Sequence, residues 1–298
     1  MEVSNKNPAW LDKSHPNFKR WQRARDLSIE RGKFVQAVVN QKLKTNNLSI
    51  LDLGSGEGGT AKVFSKNNFV VSFDLSLVRL QRQKLPVISS ESSSEKSSTN
   101  NRNGFLSAFE MTSINYINGD AYHLPFSNHS FDLIIIQDVI EHLSDVNAFY
   151  SEIKRVLKNN GTIYLSTPNK HSIFNIFSDP HFGLPFVSLL KRQSIKKYFL
   201  KYFRKNDYNR VDIAELLSLK ILQNIFSNDF ELSLQTKYSV QELFNENKGI
   251  VWSRFHLKLI AFCKIAKLDW LINKVANNKF GIINKYFTPT FYFILIRK

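Results

Sequence analysis

The sequence of 298 residues lacks cysteine almost entirely and contains no long apolar run. Its single cysteine, Cys263, excludes an intramolecular disulfide and a metal site built from several thiolates, and we interpret it as apolar filler. No run of 18 apolar residues occurs, which predicts that no segment spans a membrane. The first residues, Met-Glu-Val-Ser-Asn-Lys, lack the charged and apolar regions of a secretion signal, so we expect a cytoplasmic protein.

Acidic residues are scarce in the second half of the chain. Residues 1–150 carry 17 Lys and Arg against 15 Asp and Glu, whereas residues 151–298 carry 24 against 10. This positive charge indicates an anionic partner, which can be a membrane surface, a nucleic acid, or an acidic or phosphorylated substrate. The alternative interpretation is a lysine-rich composition spread over a solvated surface. The length allows one large α/β domain with insertions, or two small domains.

Glycine is concentrated in one stretch, which reads Ile50-Leu51-Asp52-Leu53-Gly54-Ser55-Gly56-Glu57-Gly58-Gly59-Thr60. Residues 48–51 are typical of a buried parallel strand, and the glycines allow a tight turn into a helix that begins near Thr60. Because glycine has no Cβ and the helix presents unpaired N–H groups, a ligand can approach this turn closely. The spacing G-x-G-x-G differs from the dinucleotide fingerprint G-x-G-x-x-G, although Gly59 stands where its third glycine would be.

A second apolar strand, residues 69–74, ends in Asp74, which follows Gly54 by 20 residues. A carboxylate at this place can accept hydrogen bonds from both hydroxyls of a ribose, which fits either a nicotinamide or an adenosyl cofactor. A third strand is predicted over residues 114–119 and a fourth over residues 131–137. Sequence motifs after Asp74 are therefore needed to distinguish a nicotinamide from an adenosyl cofactor.

Those motifs resemble the class I S-adenosylmethionine-dependent methyltransferases. The resemblance is carried by Asp-Leu-Gly-Ser-Gly-Glu-Gly at 52–58, Asp74, Gly-Asp-Ala at 119–121 with Leu-Pro-Phe behind it, Phe-Asp-Leu-Ile at 131–134, and Arg-Val-Leu-Lys-Asn-Asn-Gly at 155–161. It implies an enzyme that uses S-adenosyl-L-methionine as its cofactor. The alternatives are a nicotinamide enzyme and an inactive relative.

The resemblance also implies a role for each residue of the cofactor site. Backbone groups of Gly54 and Gly56 hold the amino and carboxylate ends of the methionine part. Asp74 accepts the ribose hydroxyls, and Asp120 accepts the adenine amine, for which the alternative role is a turn cap. Ala121 and Leu75 lie against the adenine ring. The full predicted set is Asp52, Gly54, Ser55, Gly56, Asp74, Leu75, Asp120, Ala121 and Gln137.

Three predicted catalytic residues, Asp138, Glu141 and His142, follow the fourth strand. Their D-x-x-E-H pattern resembles the E-x-x-E-H of ubiquinone-type O-methyltransferases and of small-RNA 2′-O-methyltransferases, where it binds a divalent ion. Asp replaces the first Glu here, and many family members carry similar residues without metal, so we predict no metal. The spacing places all three residues on one face of a helical turn. His142 is the predicted base for the acceptor, with a structural role as the alternative and His181 as a weaker second candidate.

The resemblance implies a Rossmann-like methyltransferase fold, which is a doubly wound, mostly parallel α/β sheet of seven strands with helical insertions and antiparallel last strands. We predict four parts along the chain. They are an N-terminal helical lid over residues 1–45, a cofactor-binding core over 46–168 with a disordered insert at 87–104, a helical insertion over 169–211, and the C-terminal part of the sheet over 212–298 with a second helical insertion at 238–288. In the lid, Gly32 is predicted to divide two helices. Trp21 and Arg25 are candidates for contact with cofactor or substrate, and the alternative is that this helix packs against the edge of the sheet.

The remaining elements follow from apolar periodicity and turn residues. Asp145 is the predicted N-cap of a helix, and Asn159-Asn160-Gly161 is a predicted turn. Strands are predicted over residues 162–167, 230–237 and 289–296, and helices over 186–204 and 212–226.

The acceptor is inferred from the insertions, where apolar and basic residues alternate over 186–205 and 250–275. Basic amphipathic helices lie on anionic membranes or act as lids over a pocket. The Asn/Asp-Pro-Pro-Tyr block of base-amine methyltransferases is replaced by residues 137–140, which disfavours nucleic acid, and Ser-Thr-Pro-Asn-Lys-His at 166–171 resembles enzymes acting on quinone precursors, lipids or glycans. We predict O-methylation of a small, lipid-linked or glycan-type acceptor, with peripheral contact with the inner face of an anionic membrane left open. The alternatives are a membrane-surface or RNA-binding protein that keeps the fold, and an RNA methyltransferase.

Overall fold

The computed structural model describes residues 12–15, 18–84, 114–208, 213–250 and 254–298. The predicted disordered insert at 87–104 and the predicted helix start at Asp212 lie outside the described residues. Within them, none of the helices combines the length and the apolar character that a membrane span requires.

Seven strands form a single sheet. They are β1 (Ser49–Leu53), β2 (Phe69–Asp74), β3 (Ile114–Asn118), β4 (Phe131–Gln137), β5 (Leu157–Pro168), β6 (Phe230–Leu234) and β7 (Thr290–Arg297). Their order across the sheet is β3-β2-β1-β4-β5-β7-β6. Strand β7 is antiparallel to both of its neighbours, whereas the pairings among β1 to β5 are parallel. The predicted mostly parallel sheet and the predicted antiparallel pairing of the last two strands are confirmed.

The described α-helical segments flank the sheet and form the two insertions. They are α1 (Phe18–Asp26), α2 (Ser28–Val39), α3 (Gly59–Phe64), α4 (Leu77–Gln83), α5 (Val146–Val156), α6 (Ile173–Phe177), α7 (Arg192–Ser194), α8 (Lys201–Phe203), α9 (Leu219–Phe226), α10 (Thr236–Phe244), α11 (Arg254–Ile265), α12 (Leu268–Val275) and α13 (Ile282–Tyr286).

Two apolar layers cover the two faces of the sheet, as a doubly wound fold requires. Alternate side chains of β4 point to opposite layers: Ile135 packs with Phe34 of α2, and Ile134 packs with Phe149 of α5. Both layers are fully buried at these positions. This packing fixes the sheet and, with it, the positions of the loops at the carboxyl ends of the strands.

The N-terminal helices divide at Leu27, so the prediction that Gly32 divides them is wrong. Gly32 lies inside α2 and faces the start of α3, where a Cβ on Gly32 would lie 2.7 Å from the carbonyl oxygen of Gly59. A Cβ on Gly59 would in turn lie 2.1 Å from the backbone of Ser28. These glycines therefore serve close approach between two helices and not the ending of one.

Strand β5 begins at Leu157, so the predicted turn at residues 159–161 lies inside a strand. The register against β4 shifts between Phe131 and Leu133, and Asn160 has a positive φ of 62°. Both features describe a bulge, in which extra residues are accommodated without ending the strand.

Three further boundaries differ from the sequence predictions. Strand β6 stops at Leu234 and α10 begins at Thr236, whereas the strand was predicted to reach residue 237. Helix α9 begins at Leu219 because the Ser218 hydroxyl accepts from the Ile221 N–H, and buried residues of the predicted longer helix, such as Ile213, pack on the first insertion instead. The predicted helix over 186–204 is divided into short segments, one of them a π-helical segment at Ile195–Leu200.

Candidate active site

The turn after β1 is built from glycines with left-handed backbone conformations. Gly54, Gly56 and Gly58 have φ values of 72°, 55° and 74°. A Cβ on Gly54 would lie 2.4 Å from the Val139 side chain, whereas a Cβ on Gly56 would meet no atom closer than 3.8 Å. The backbone of Gly56 therefore borders open space, where a bound molecule can approach it.

Asp74, at the end of β2, is tied directly to this turn. Its Oδ2 accepts a hydrogen bond of 2.8 Å from the Gly56 N–H, and its Oδ1 accepts one of 2.8 Å from the Ser76 N–H. Gln83 of α4 supports the same turn, because its Nε2 donates to the Ser55 hydroxyl at 3.0 Å and to the Gly56 carbonyl at 2.9 Å. Each carboxylate oxygen of Asp74 keeps a further lone pair for a ligand hydroxyl.

Asp52 is buried at the base of the turn. Its Oδ2 has no hydrogen-bond partner among the described residues. Burial raises the pKa of Asp52 to about 7, a backbone hydrogen bond with Ala61 opposes that shift, and the charge of Asp74 adds to it. A buried oxygen of this kind is costly unless it meets a donor, and a cationic donor stabilises the ionised form best.

The other predicted cofactor-binding residues lie around the same edge of the sheet. Asn118, the last residue of β3, donates from Nδ2 to the carbonyls of Asp74 and Leu75, both at 2.9 Å. Asp120 is exposed and its Oδ1 accepts from the Tyr122 N–H at 3.0 Å, which is the turn-cap role named as its alternative. The binding role of Asp120 stays a prediction.

Two more of the predicted set have internal contacts. Ala121 packs partly buried against the apolar layer that contains α5. Gln137 accepts a hydrogen bond of 3.1 Å from the Thr60 hydroxyl, so it links the end of β4 to the start of α3. Both residues therefore help to hold the site, and their contact with a cofactor stays a prediction.

Asp138 does not share a helical face with Glu141 and His142, so that prediction is wrong. Its φ of 54° places it outside the 3₁₀ turn Ile140–His142 that holds the other two. Its Oδ2 accepts a hydrogen bond of 2.7 Å from Arg31 Nη2, and its Oδ1 accepts one of 3.1 Å from the Ser166 hydroxyl. The left-handed backbone turns the Asp138 carboxylate towards α2 and β5.

Glu141, in the 3₁₀ turn, is buried. Its Oε2 accepts a hydrogen bond of 3.0 Å from the Thr167 hydroxyl, and its Oε1 has no partner in the part of the chain that the structure describes. Burial, followed by the nearby charge of Asp138, raises the pKa of Glu141 to about 8. The carboxyl group is therefore mainly protonated at neutral pH and can donate a hydrogen bond.

His142 lies next to His181 of the first insertion. The centroids of the two rings are 5.2 Å apart and the rings are nearly perpendicular. Ligand atoms of Glu141, His142 and His181 all lie within 4.8 Å of one another, so this group is the one able to hold a metal ion among the described residues. The predicted absence of metal stays a prediction, and the weaker base candidate, His181, is at the site.

Sequence reasoning missed two arginines that assemble this region. Arg31 comes from α2 and joins this helix to Asp138. Arg192, predicted as a basic residue of an amphipathic stretch, donates from Nη2 to the carbonyls of Glu141 and Leu143 at 3.0 and 2.9 Å. Arg31 directly precedes Gly32, the glycine of α2 that contacts the start of α3. No local sequence pattern indicated a structural role for Arg192.

The N-terminal part of the chain also contacts the first insertion. His15 Nε2 lies 3.2 Å from Asp207 Oδ1, and the indole of Trp21 stacks on the imidazole of His15 with centroids 4.6 Å apart. A contact of Trp21 or Arg25 with cofactor or substrate stays a prediction.

Part of the chain matches known proteins. Residues 51–165 match a family described as a methyltransferase domain. A ubiquinone biosynthesis O-methyltransferase of Bartonella quintana is 28% identical over 125 residues, which is 42% of this chain and 42% of that protein. A sarcosine/dimethylglycine N-methyltransferase of Aphanothece halophytica is 29% identical over 121 residues, 40% of this chain and 37% of that protein. The chain spans less than half the length of the curated relatives it matches.

Among solved structures, the chain is similar to an S-adenosylmethionine-dependent methyltransferase of Mesorhizobium loti. The TM-score is 0.50 at 16% sequence identity, with 88% of this chain and 96% of that chain covered. This likeness confirms the predicted Rossmann-like methyltransferase fold.

Proposed function

We propose that residues 51–165, which match a family described as a methyltransferase domain, form a class I S-adenosylmethionine-dependent methyltransferase, and that the chain transfers a methyl group from S-adenosyl-L-methionine to an oxygen of a small acceptor. One observation carries the proposal. The buried Oδ2 of Asp52 has no partner in the described structure and lies under a glycine turn that is fixed to Asp74. A carboxylate in this position fits a ligand with an ammonium group.

The described residues fit this cofactor at three of its parts. Asp52 and the backbone of Gly54 and Gly56 would hold the methionine end. Asp74 would accept the ribose hydroxyls through its remaining lone pairs, and Asp120, with its neighbours Leu75 and Ala121, would hold the adenine. When bound, the cofactor supplies an electrophilic methyl group on a sulfonium. The protein has to align the acceptor and remove its proton.

We assign the role of base to His142. It is half-buried at the carboxyl end of β4, and an imidazole is the side chain that exchanges protons most readily near neutral pH. Glu141, protonated at that pH, can donate a hydrogen bond to a bound molecule, and Arg31 and Ser166 hold the Asp138 carboxylate in place.

The acceptor class rests on the composition of the first insertion. Its exposed side chains include Phe186, Tyr198, Tyr202 and Phe203, next to several lysines. This surface suits a lipid-linked, glycan-type or otherwise amphiphilic acceptor better than a nucleic acid. Peripheral contact with the inner face of an anionic membrane, in a cytoplasmic protein, belongs to the same proposal.

Methyl-labelled S-adenosyl-L-methionine tests the function. The full chain is incubated with separate pools of lipids, glycans, small metabolites and RNA, and we expect label in a lipid, glycan or small-molecule product. His142→Gln should reduce transfer at unchanged cofactor affinity, whereas His129→Gln, at the opposite edge of the sheet before β4, should not. Label in RNA alone favours the RNA methyltransferase alternative, and no transfer to any pool despite cofactor binding contradicts the proposal.

A further inference from the structure

Two short helices at one edge of the sheet expose large apolar side chains. On α6 and α13, Phe177 is 66% exposed and Ile282 is 71% exposed. We call these residues and their exposed neighbours the edge patch, which consists of Phe174, Phe177, Ile282, Lys285, Tyr286 and Phe287. Apolar side chains grouped in this way commonly mark an interaction surface.

Buried asparagines hold the two helices of the edge patch together. Asn175 Nδ2 of α6 donates to the Pro289 carbonyl, just after α13, at 2.7 Å. Asn169 Nδ2, just before α6, donates to the carbonyls of Lys285 and Thr288 at 3.0 and 2.9 Å. Because both asparagines are buried, α6 and α13 form one rigid part of the surface.

The edge patch lies at the same edge of the sheet as the candidate active site. Strand β5 ends at Pro168, which pairs with Thr290, the first residue of β7. Helix α6 follows that end of β5, and α13 precedes that end of β7. Since β1, β4 and β5 are parallel, the turn at Gly54 and the turn at His142 lie at this edge too.

The Lys, Asp and Glu positions in and around the edge patch are all lysine, so its charge is positive. Residues 170–177 and 279–288 contain three lysines and no Asp or Glu. Lys170 and Lys285 lie near the same residue, His171, so two of the positive charges come from the two sides of the α6–α13 junction. A two-fold pairing of two copies through this surface would oppose like charges, whereas an anionic lipid surface takes up both the lysines and the apolar side chains.

We propose that the edge patch docks on an anionic membrane and turns the active-site edge of the sheet towards it. One part of this inference rests on the proposed function: if the chain is a methyltransferase, its acceptor is a lipid or a lipid-linked molecule that it reaches from the membrane surface. The docking itself needs no cofactor.

Co-sedimentation of the full chain with vesicles tests the docking. We expect binding to vesicles of phosphatidylcholine and phosphatidylglycerol in equal parts and weak binding to phosphatidylcholine alone. Phe177→Glu combined with Ile282→Glu should weaken binding by at least about tenfold, and Lys285→Gln by about fivefold. The matched control is Phe69→Glu at the opposite edge, where Phe69 opens β2 and is 50% exposed, and it should bind as the wild type does.

Several results would overturn the inference. They are equal binding to both vesicle types, equal binding of the patch variant and the Phe69 variant, a concentration-dependent dimer that the patch variant loses, and retention by RNA in place of vesicles. Cofactor titrations of the same preparations separate the two proposals. A wild-type chain that binds cofactor but not anionic vesicles rejects the docking alone, whereas a wild-type chain that binds anionic vesicles but not cofactor rejects the proposed function alone.

Discussion

The backbone N–H of Gly56 donates a hydrogen bond of 2.8 Å to Oδ2 of Asp74. This bond joins two motifs that are separate in the sequence, the glycine turn after β1 and the carboxylate that ends β2. The Gln83 side chain supports the same turn from α4. The geometry of the proposed cofactor cradle therefore depends on backbone groups and on the carboxylate of Asp74.

A methyl group at Gly56 is expected to weaken cofactor binding strongly and to lower the free energy of unfolding only slightly. Gly56 and Gly183 both have positive φ, and a Cβ at either position meets no close neighbour. Alanine at each should therefore lower the free energy of unfolding by about 1 kcal/mol. Calorimetry should show cofactor affinity at least about tenfold weaker in Gly56→Ala only. Equal affinities in Gly56→Ala and the Gly183→Ala control would contradict the position assigned to Gly56.

The pKa of Asp52 predicts that cofactor binding depends on pH. The folded-state pKa is about 7 against an ordinary 3.8, so the folded chain holds an extra proton between these values, and its free energy of unfolding falls as pH rises through that window. An ammonium group beside Oδ2 favours the ionised carboxylate. Cofactor affinity should therefore increase as pH rises towards 7, with proton release measurable by titration in buffers of different ionisation enthalpy. The same pH slope in Asp52→Asn would reject this role.

Glu141 should destabilise the fold at alkaline pH. Its folded-state pKa is about 8 against an ordinary 4.5, so stability is lost as pH rises between those values, because only the unfolded chain ionises freely. Glu141→Gln should remove this loss and become more stable than the wild type above pH 8, by on the order of 2 kcal/mol. Urea unfolding at acid and alkaline pH measures the difference. The control is Glu231→Gln, at an exposed position on β6. The same pH dependence of stability in both variants would show that folding does not raise the pKa of Glu141.

Arg192 is predicted to be a positioning residue for the turn that carries His142. It ties the carbonyls of Glu141 and Leu143 to the first insertion, and Arg192→Met leaves both without this donor. We expect kcat to fall several-fold while the cofactor Kd stays unchanged. Arg297→Met is the control, because Arg297 Nη1 binds the carbonyls of Lys154 and Leu157 at the opposite edge of the sheet. An equal fall of kcat in both variants would indicate a loss of stability and not of positioning.

Local patterns predicted the core of the sheet well. The bounds of β2 and β4 follow from apolar runs that end in polar residues, and the Asp145 side chain caps α5 as predicted by accepting from the N–H groups of Asn147 and Ala148. Gly32 shows the limit of such reasoning. Its role depends on a contact with Gly59, and a helix contact between distant residues leaves no periodic signal.

The candidate site was harder to predict because its residues come from distant parts of the chain. Arg31 and Asp138 pair across 107 positions, and His181 reaches His142 from an insertion whose path no strand pattern determines. Asp138 was misplaced because its left-handed backbone interrupts the helical spacing of the D-x-x-E-H pattern. Motif spacing identified the residues, but only the fold determines which of them meet.

The most direct measurement is a calorimetric titration of the full chain with S-adenosyl-L-methionine, comparing the wild type with Asp74→Ala and with Asp132→Ala as the control. Asp132 lies at the opposite edge, where it accepts from the Ser49 N–H and pairs with Lys158. We predict a Kd on the order of micromolar for the wild type and the control, and at least about 100-fold weaker binding for Asp74→Ala. Unchanged binding in Asp74→Ala would contradict the cofactor site described here.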